Sequence, residues 1–317
     1  MAKSRRLEDR LAALDDLRAD PTSEESIEAL RRALTSKVNH IVGRAAQISG
    51  EFWLEELEPD LVDAFERFMI NAAKTDPACI AKTAIAEALY RMEAYQPEVY
   101  LDAIGHVQLE PTYGGQEDTA AKLRGISALG LVRIDYPNVM ILLAQLLADP
   151  EADARIAAAR AIGYAGLDAG TPLLRFKALI GDDHPQVLAD TFVALLKLAP
   201  DSSLSFVAGF LQRADVTVQE AAAVALGESR LVQAFPFLET AWEDTRDADL
   251  RRTFLLAIAL LRQDRATDFL ISLVREGGPD GEDALGALRM YQDDLGVWDR
   301  VERALAARAL KEGEQQR

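Results

Sequence analysis

The chain has 317 residues, 49% of them hydrophobic and only 7% aromatic, and its formal net charge is −17. This charge argues against a nucleic-acid partner, because proteins that neutralise phosphates need a basic stripe. No run approaches the roughly 18 apolar residues of a membrane span, so we expect no membrane partner either. The single cysteine, Cys79, cannot form an intrachain disulfide, which favours a cytoplasmic location.

The first segment, residues 1–20, is predicted to be an N-terminal capping helix. Its basic start leads into polar residues rather than an apolar stretch, so no signal peptide is predicted. An apolar residue recurs every three or four positions, which places these side chains on one narrow helical face. The stripe consists of Leu7, Leu11, Leu14 and Leu17. It either closes the end of a helical array or receives a helix of a partner.

A repeated helical motif occupies residues 21–291. It is clearest at residues 154–163 and 218–227, where alanines and an aliphatic residue precede a glycine. These positions share one helical face, so we expect Ala158, Ala222 and Leu226 to be buried. When the small-residue ends are aligned, the first step is 40 residues and the later steps are 30 to 33. A period of this size is typical of stacked helix pairs, with degenerate repeats over 21–96 and regular repeats over 97–291.

The last segment, residues 292–317, is predicted to be a C-terminal capping helix followed by a polar tail. Its apolar residues again form a single stripe, since the outer face of a terminal repeat meets water. The stripe consists of Val297, Trp298, Val301, Leu305 and Leu310.

The motif resembles the HEAT repeat family in its short bacterial form, whose second helix reads close to D-x-x-V-R-x-x-A-A-x-A-L-G. The resemblance is good over residues 97–291 and weaker over 51–96. It implies an all-α fold: a right-handed α-solenoid, or HEAT/armadillo-like superhelix, of about eight helix pairs between the two caps.

The arginine position of the motif defines a series that we call the ladder residues. In this family the second helices line the concave surface, so the resemblance implies that the ladder residues follow the inner curve. The series reads Lys82, Lys122, Arg155, Leu188, Gln219, Arg251 and Gly281. Its polar members, Lys82, Lys122, Arg155, Gln219 and Arg251, either contact a partner or pair with turn carboxylates such as Asp149, Asp153 or Asp249.

Three aromatic residues are further candidates for partner contact. The 40-residue step places about eight extra residues around 110–118, so Tyr113 lies in a loop that either reads a partner or folds back over its own repeat. Trp53 and Trp298 lie near the two ends of the array, where each either anchors a partner or packs a cap.

Candidates for catalysis are few. His40, His106 and His184 are far apart, none is followed by glutamate, and no cysteine pair exists. Repeated His-Glu pairs mark the iron-dependent HEAT-repeat hydroxylases, so that activity is not predicted. We expect no metal and no cofactor, and the chain is not predicted to be an enzyme.

These observations predict a non-catalytic scaffold or adaptor for another protein, whose surface is basic if it complements the acidic chain. The resemblance also extends to subunits of phycobilin lyases, which handle open-chain tetrapyrroles on antenna proteins. That alternative would use Tyr90, Tyr113 and Tyr164 with nearby carboxylates. A third alternative is a structural component that assembles through its end caps.

Overall fold

The structure is a computed structural model that describes the backbone of residues 2–315 and the side chains of residues 6–311. Over that backbone it contains nineteen α-helices and one short β-hairpin. Residues 1, 316 and 317, which the predicted end segments include, lie outside the described residues. The chain divides into two compact units, unit 1 over residues 1–165 and unit 2 over residues 166–317.

Unit 1 contains four helix pairs preceded by a single helix. Its helices are α1 Ala2–Asp16, α2 Glu24–Leu34, α3 Asn39–Glu51, α4 Glu58–Met69, α5 Ala72–Thr75, α6 Ile80–Arg91, α7 Pro97–Ile104, α8 Ala121–Arg133, α9 Val139–Leu146 and α10 Ala152–Ala165. The pairs are α2 with α3, α4 with α6, α7 with α8 and α9 with α10, while α1 packs on α3. Strands β1, Leu109–Thr112, and β2, Gly115–Asp118, form an antiparallel hairpin between α7 and α8.

Unit 2 contains four more pairs followed by a single helix. Its helices are α11 Gly170–Ile180, α12 Pro185–Leu198, α13 Pro200–Ala208, α14 Val216–Ser229, α15 Phe235–Asp244, α16 Ala248–Leu260, α17 Asp264–Glu276, α18 Gly278–Leu288 and α19 Leu295–Gln315. The pairs follow chain order, and α19 packs on α17. With four pairs in each unit, the predicted all-α solenoid of about eight pairs is confirmed. The predicted domain boundaries at 20/21 and 291/292 stay a prediction.

The second helices of neighbouring pairs pack directly on one another within each unit. In unit 1 these are α3, α6, α8 and α10, and in unit 2 they are α12, α14, α16 and α18. The approach is close because small residues lie at the contacts: an added Cβ at Gly227 would lie 2.4 Å from the carbonyl oxygen of Ala257. First helices of neighbouring pairs contact each other less. We call the packed row of second helices in each unit its second-helix layer.

The core of each unit lies between its first helices and its second-helix layer. Ala158 in unit 1 and Ala222 and Leu226 in unit 2 are completely buried. The motif therefore indicated the buried face of these second helices correctly.

Candidate functional site

A cationic side chain near the start of four second helices returns to the turn that precedes its own helix. Each reaches the residue six positions earlier in the chain. The pairs are Lys82 with Asp76 at 3.1 Å, Arg124 with Asp118 at 2.7 Å, Arg155 with the carbonyl of Asp149 at 2.9 Å, and Arg251 with the carbonyl of Thr245 at 3.0 Å. These side chains therefore close the turn of each repeat.

In the structural register the ladder position of α8 is occupied by Arg124 rather than Lys122, while contact of Lys122 with a partner stays a prediction. Six second helices are followed by a residue with a positive φ, which ends the helix in the left-handed conformation. These residues are Trp53, Glu93, Asp135, Gly166, Arg230 and Arg262. Four of them lie 11 positions after the ladder residue of their helix, as Glu93 does after Lys82 and Arg262 after Arg251. In α8, Asp135 lies 11 positions after Arg124 but 13 after Lys122. The long step, from Lys82 to Arg124, is therefore 42 residues rather than 40. The hairpin inserted between α7 and α8 accounts for its length.

Most of the ladder residues are held inside their repeats. Lys82 is completely buried and Arg155 is 8% exposed. The Gln219 side chain donates to the carbonyl of Leu211 at 2.8 Å. Lys122, which lies outside the structural register, is exposed and 3.8 Å from Glu87. Lys122 is therefore accessible to a partner, whereas Lys82 and Arg155 are buried. Contact of the ladder residues with a partner stays a prediction.

Arg251 is the most heavily engaged ladder residue of unit 2. Its guanidinium forms two hydrogen bonds to the Asp280 carboxylate, at 3.1 and 2.9 Å, and lies 4.2 Å from the Trp242 ring centroid. Asp280 belongs to the next helix pair, so this contact connects adjacent repeats. Of the two alternatives stated for the ladder residues, Arg251 therefore shows pairing with a carboxylate.

The three aromatic candidates lie in different settings. Tyr113 is fully exposed in the two-residue loop of the hairpin, beside Gly114 with φ 106°. Trp53 is half exposed just after α3, and Trp298 is partly exposed on α19. Because Gly114 adopts a conformation that favours glycine, Tyr113 is held at the tip of a defined turn.

The base of the hairpin is clamped by a buried polar network in unit 1. Lys82 Nζ donates to Gln108 Oε1 at 2.9 Å, and Gln108 Nε2 donates to the backbone carbonyl of Asp76 at 2.9 Å. The Asp76 carboxylate also accepts from the side-chain amide of Asn39 at 3.0 Å. Isolated two-stranded hairpins are only marginally stable in water, so this network holds the hairpin in place. We call the hairpin, residues 109–118, the hairpin arm.

Two carboxylates complete the clamp. Glu110 Oε1 accepts from the Ala78 N–H at 2.7 Å and from the Thr119 hydroxyl at 2.8 Å. Asp118 accepts from the Gln108 N–H at 2.9 Å and pairs with Arg124. The hairpin is thereby fixed at both of its strands.

Hydrogen bonding overcomes the cost of burying these carboxylates. Burial alone would raise the pKa of Asp118, but the N–H groups of Gln108 and Ala120 and the Arg124 guanidinium outweigh it and lower that pKa. The pKa of Glu110 is lowered in the same way: burial opposes the shift, and hydrogen bonds from neighbouring residues exceed its effect. Burial also lowers the pKa of His106. All three groups stabilise unit 1 in their deprotonated forms.

The exposed positions of the second-helix layers lie five residues after the ladder position. In unit 1 these positions are mostly polar, whereas in unit 2 three are aliphatic and the fourth is a glycine. They are Gln47, Glu87, Leu129 and Arg160 in unit 1, and Val193, Val224, Leu256 and Gly286 in unit 2. Motif reading missed them, although an apolar residue at one fixed offset in three consecutive repeats is a signal that the sequence carries.

The four unit 2 residues form what we call the apolar stripe: Val193, Val224, Leu256 and Gly286. Val193 and Val224 are partly exposed and Leu256 is 43% exposed. An added Cβ at Gly286 would meet no atom within 4 Å. Because α12, α14, α16 and α18 lie side by side, the stripe crosses the second-helix layer of unit 2.

A groove of about 480 Å³ lies at the end of the apolar stripe, between α16 and α18. Its lining includes Arg252, Thr253, Leu256, Asp283, Gly286 and Ala287. Arg252 pairs with Asp283 at 3.1 Å across the groove and with Asp249 at 2.9 Å. The lining of the groove therefore combines apolar residues, such as Leu256 and Ala287, with charged ones.

The second-helix layer of unit 1 has a smaller and more polar groove. It measures about 190 Å³ and lies between α3, α6 and Arg18, which belongs to the short turn after α1. Arg18 pairs there with Glu51, and Arg91 pairs with Glu87 at 2.8 Å. The charges of this groove are largely satisfied by one another, and its volume is less than half that of the unit 2 groove.

Within the described side chains, no group of three or more histidine, cysteine or acidic residues is arranged to hold a metal ion. None of the helices that the structure describes is long and apolar enough to cross a membrane.

The fold and these surfaces define a helical-repeat protein. More particularly, residues 173–259, within unit 2, match the family model of HEAT repeats. The resemblance predicted from the sequence is thereby confirmed over this range. No protein of curated function is similar enough in sequence to count as a relative.

Solved structures with similar chains include two helical-repeat proteins. Human deoxyhypusine hydroxylase in complex with glycerol is 18% identical, with 80% of this chain and 90% of that chain covered and a TM-score of 0.32. The complex of CpcE and CpcF of phycocyanin lyase from Nostoc sp. PCC7120 is 18% identical, with 89% and 94% covered and a TM-score of 0.39.

Proposed function

We propose that this protein is a non-catalytic scaffold that binds another protein through the second-helix layer of unit 2. The observation that carries the proposal is the apolar stripe, in which Val193 and Val224 are partly exposed and Leu256 is 43% exposed. Soluble surfaces rarely leave apolar side chains in a contiguous line, and such lines mark interaction sites. Buried second-helix faces pack the core, so a partly exposed apolar residue on the opposite face contributes less to folding than a buried one.

The hairpin arm supports the same function in unit 1. Tyr113 is fully exposed on an arm whose base is held by buried ion pairs and hydrogen bonds. Tyrosine is enriched among residues that dominate binding energy at interfaces, and a rigid support lowers the entropy lost on binding. We propose Tyr113 as a second point of contact for a protein partner.

The alternative of a bilin-handling subunit would require tyrosines free to meet a tetrapyrrole. Tyr90 is engaged instead: its ring centroid lies 3.9 Å from the Arg133 guanidinium, and its hydroxyl accepts from Arg133 at 3.1 Å. Tyr113 and Tyr164 are exposed, so our preference for the scaffold rests on the apolar stripe and not on the tyrosines. An absorbance change on mixing the protein with a bilin and its apo-antenna protein would reverse this preference.

Site-specific photo-crosslinking in the native cell tests the scaffold. A photoreactive residue replaces Leu256 on the second helix α16, and a matched one replaces Phe237 on the first helix α15, which is 40% exposed against 43% for Leu256. We expect a discrete protein adduct at Leu256 and none, or a diffuse background, at Phe237. Absence of adducts at Leu256, or the same adducts at both positions, would overturn the proposal. Adducts that contain only a second copy of this chain would support the structural-assembly alternative instead.

A further inference from the structure

We infer that the apolar stripe binds an extended peptide segment with an apolar residue at every third position and basic residues between. This inference rests on the proposed function and specifies the chemistry of the partner. It follows from three properties of unit 2: the spacing of the stripe, the size of the groove and the charge around both.

The spacing of the stripe selects a backbone conformation. Packed helices lie about 8–10 Å apart, so successive stripe residues on α12, α14 and α16 are separated by about that distance. A polyproline II segment rises about 3.1 Å per residue with three residues per turn, so every third side chain returns to the same side after about 9 Å. A β-strand alternates its faces, so its residues i and i+3 point in opposite directions. The stripe therefore matches a polyproline II segment and not a β-strand.

The size of the groove argues against a helical ligand. An α-helix with its side chains is about 10–12 Å across. The groove between α16 and α18 encloses about 480 Å³, enough for a few side chains that extend from a peptide lying across it. Space for such a side chain is present at Gly286, where an added Cβ would meet no atom within 4 Å.

The charge around the stripe selects basic residues. Residues 201–294 contain 17 aspartates and glutamates against 9 arginines and no lysine. Among the charged residues three or four positions from a stripe residue, five are acidic and three are basic: Asp190, Glu220, Glu228, Glu282 and Asp283 against Lys197, Arg252 and Arg289. Arg252 is paired with Asp249 and Asp283. A ligand with arginine or lysine between its apolar residues would be attracted by this field, and the attraction would weaken with salt.

Peptide binding tests the inference directly. The probe is a fluorescein-labelled 12-residue peptide that repeats leucine, proline and arginine four times. One comparison peptide has the same composition with its leucines paired, and another has glutamate in place of arginine. We expect the regular peptide to bind at least about tenfold more tightly than either comparison peptide, measured by fluorescence anisotropy.

Two matched glycine variants locate the site. Gly286→Leu fills the groove, whereas Gly209→Leu adds the same side chain at another open, exposed glycine of unit 2, at the end of α13. We expect Gly286→Leu to weaken the regular peptide by about tenfold and Gly209→Leu to leave it within about twofold. Thermal unfolding of both variants verifies that each is folded.

Equal binding of the three peptides, no binding of the regular peptide, or equal effects of the two variants would overturn the inference. The scaffold proposal would survive each of these results if Leu256 still formed a specific protein adduct, so the two failures are distinguishable.

Discussion

Lys82 and Asp76 form an ion pair of 3.1 Å in which neither side chain is exposed to solvent. The Asp76 carboxylate also accepts from the backbone N–H groups of Ala81 and Lys82, at 2.9 and 3.0 Å, so it caps α6 as well. Lys82 continues the connection to Gln108 at the base of the hairpin. A position that the repeat motif assigns to the inner surface is thus used to join a turn, a helix start and an arm.

Removal of the Lys82 charge should destabilise unit 1 strongly. Lys82→Met leaves Asp76 as an uncompensated buried carboxylate, and breaking a buried pair in this way costs about 3–5 kcal/mol. Lys122→Met, on the neighbouring second helix, removes an exposed lysine and should change the free energy of unfolding by less than about 0.5 kcal/mol. Urea unfolding followed by circular dichroism measures both. Similar losses in the two variants would contradict the assigned roles.

Two helical glycines should respond in opposite directions to the same substitution. Gly227→Ala places a Cβ 2.4 Å from the Ala257 carbonyl oxygen, and the overpacking should cost about 1–3 kcal/mol. Gly286→Ala places its Cβ in open space and should stabilise α18 by about 0.5–1 kcal/mol. Differential scanning calorimetry resolves the sign. A stabilised Gly227→Ala would show that the α14–α16 contact is looser than the structure indicates.

Acid should destabilise unit 1 in two stages. His106, Glu110 and Asp118 have pKa values lowered from 6.5, 4.5 and 3.8, so each binds protons more weakly in the folded state than in the unfolded state. Their stabilisation is therefore present above those ordinary values and is lost as the pH falls through the folded ones. We expect a first loss below about pH 6.5 from His106 and a second below about pH 4.5 from the carboxyls.

Hydrogen exchange of the α6 and α8 amides across this pH range, corrected for intrinsic rates, follows the loss locally. Asp118→Asn should be less stable at neutral pH and should show a weaker second stage, since one of the responsible carboxyls is absent. A second stage unchanged in Asp118→Asn would assign the acid sensitivity to other groups.

A buried leucine and an exposed one at comparable points of adjacent second helices should differ in their cost of truncation. Leu226→Ala leaves a cavity in a completely buried position of α14 and should cost about 2–5 kcal/mol. Leu256 on α16 is 43% exposed, so Leu256→Ala should cost less than about 1 kcal/mol. The midpoints of thermal unfolding give the comparison. Equal shifts would mean that the apolar stripe is part of the core, and the proposed binding site would then be lost.

Reading the motif was sufficient for the helix pairs but not for the surface. Ala158, Ala222 and Leu226 were identified as buried because a period of 3.6 places residues of one face at recognisable intervals. The same rule was used to place the ladder residues, and the position that it assigned in α8 differs from the structural one. The intervening hairpin has its own length, which no helical period describes, so Arg124 rather than Lys122 occupies the position.

The sequence by itself determined the all-α repeat architecture, the number of helix pairs and the small residues that let second helices approach. These are local properties, since each repeat encodes its own helices, turns and buried face. Only the tertiary structure decided that Lys82 and Arg251 point into the turns, that residues 109–118 form a hairpin, and that Val193, Val224 and Leu256 align on the exposed face. The reason is physical: periodicity shows which side chains share a face, whereas the direction of a long cation and the exposure of an aliphatic residue depend on which neighbouring repeat supplies a partner or a cover.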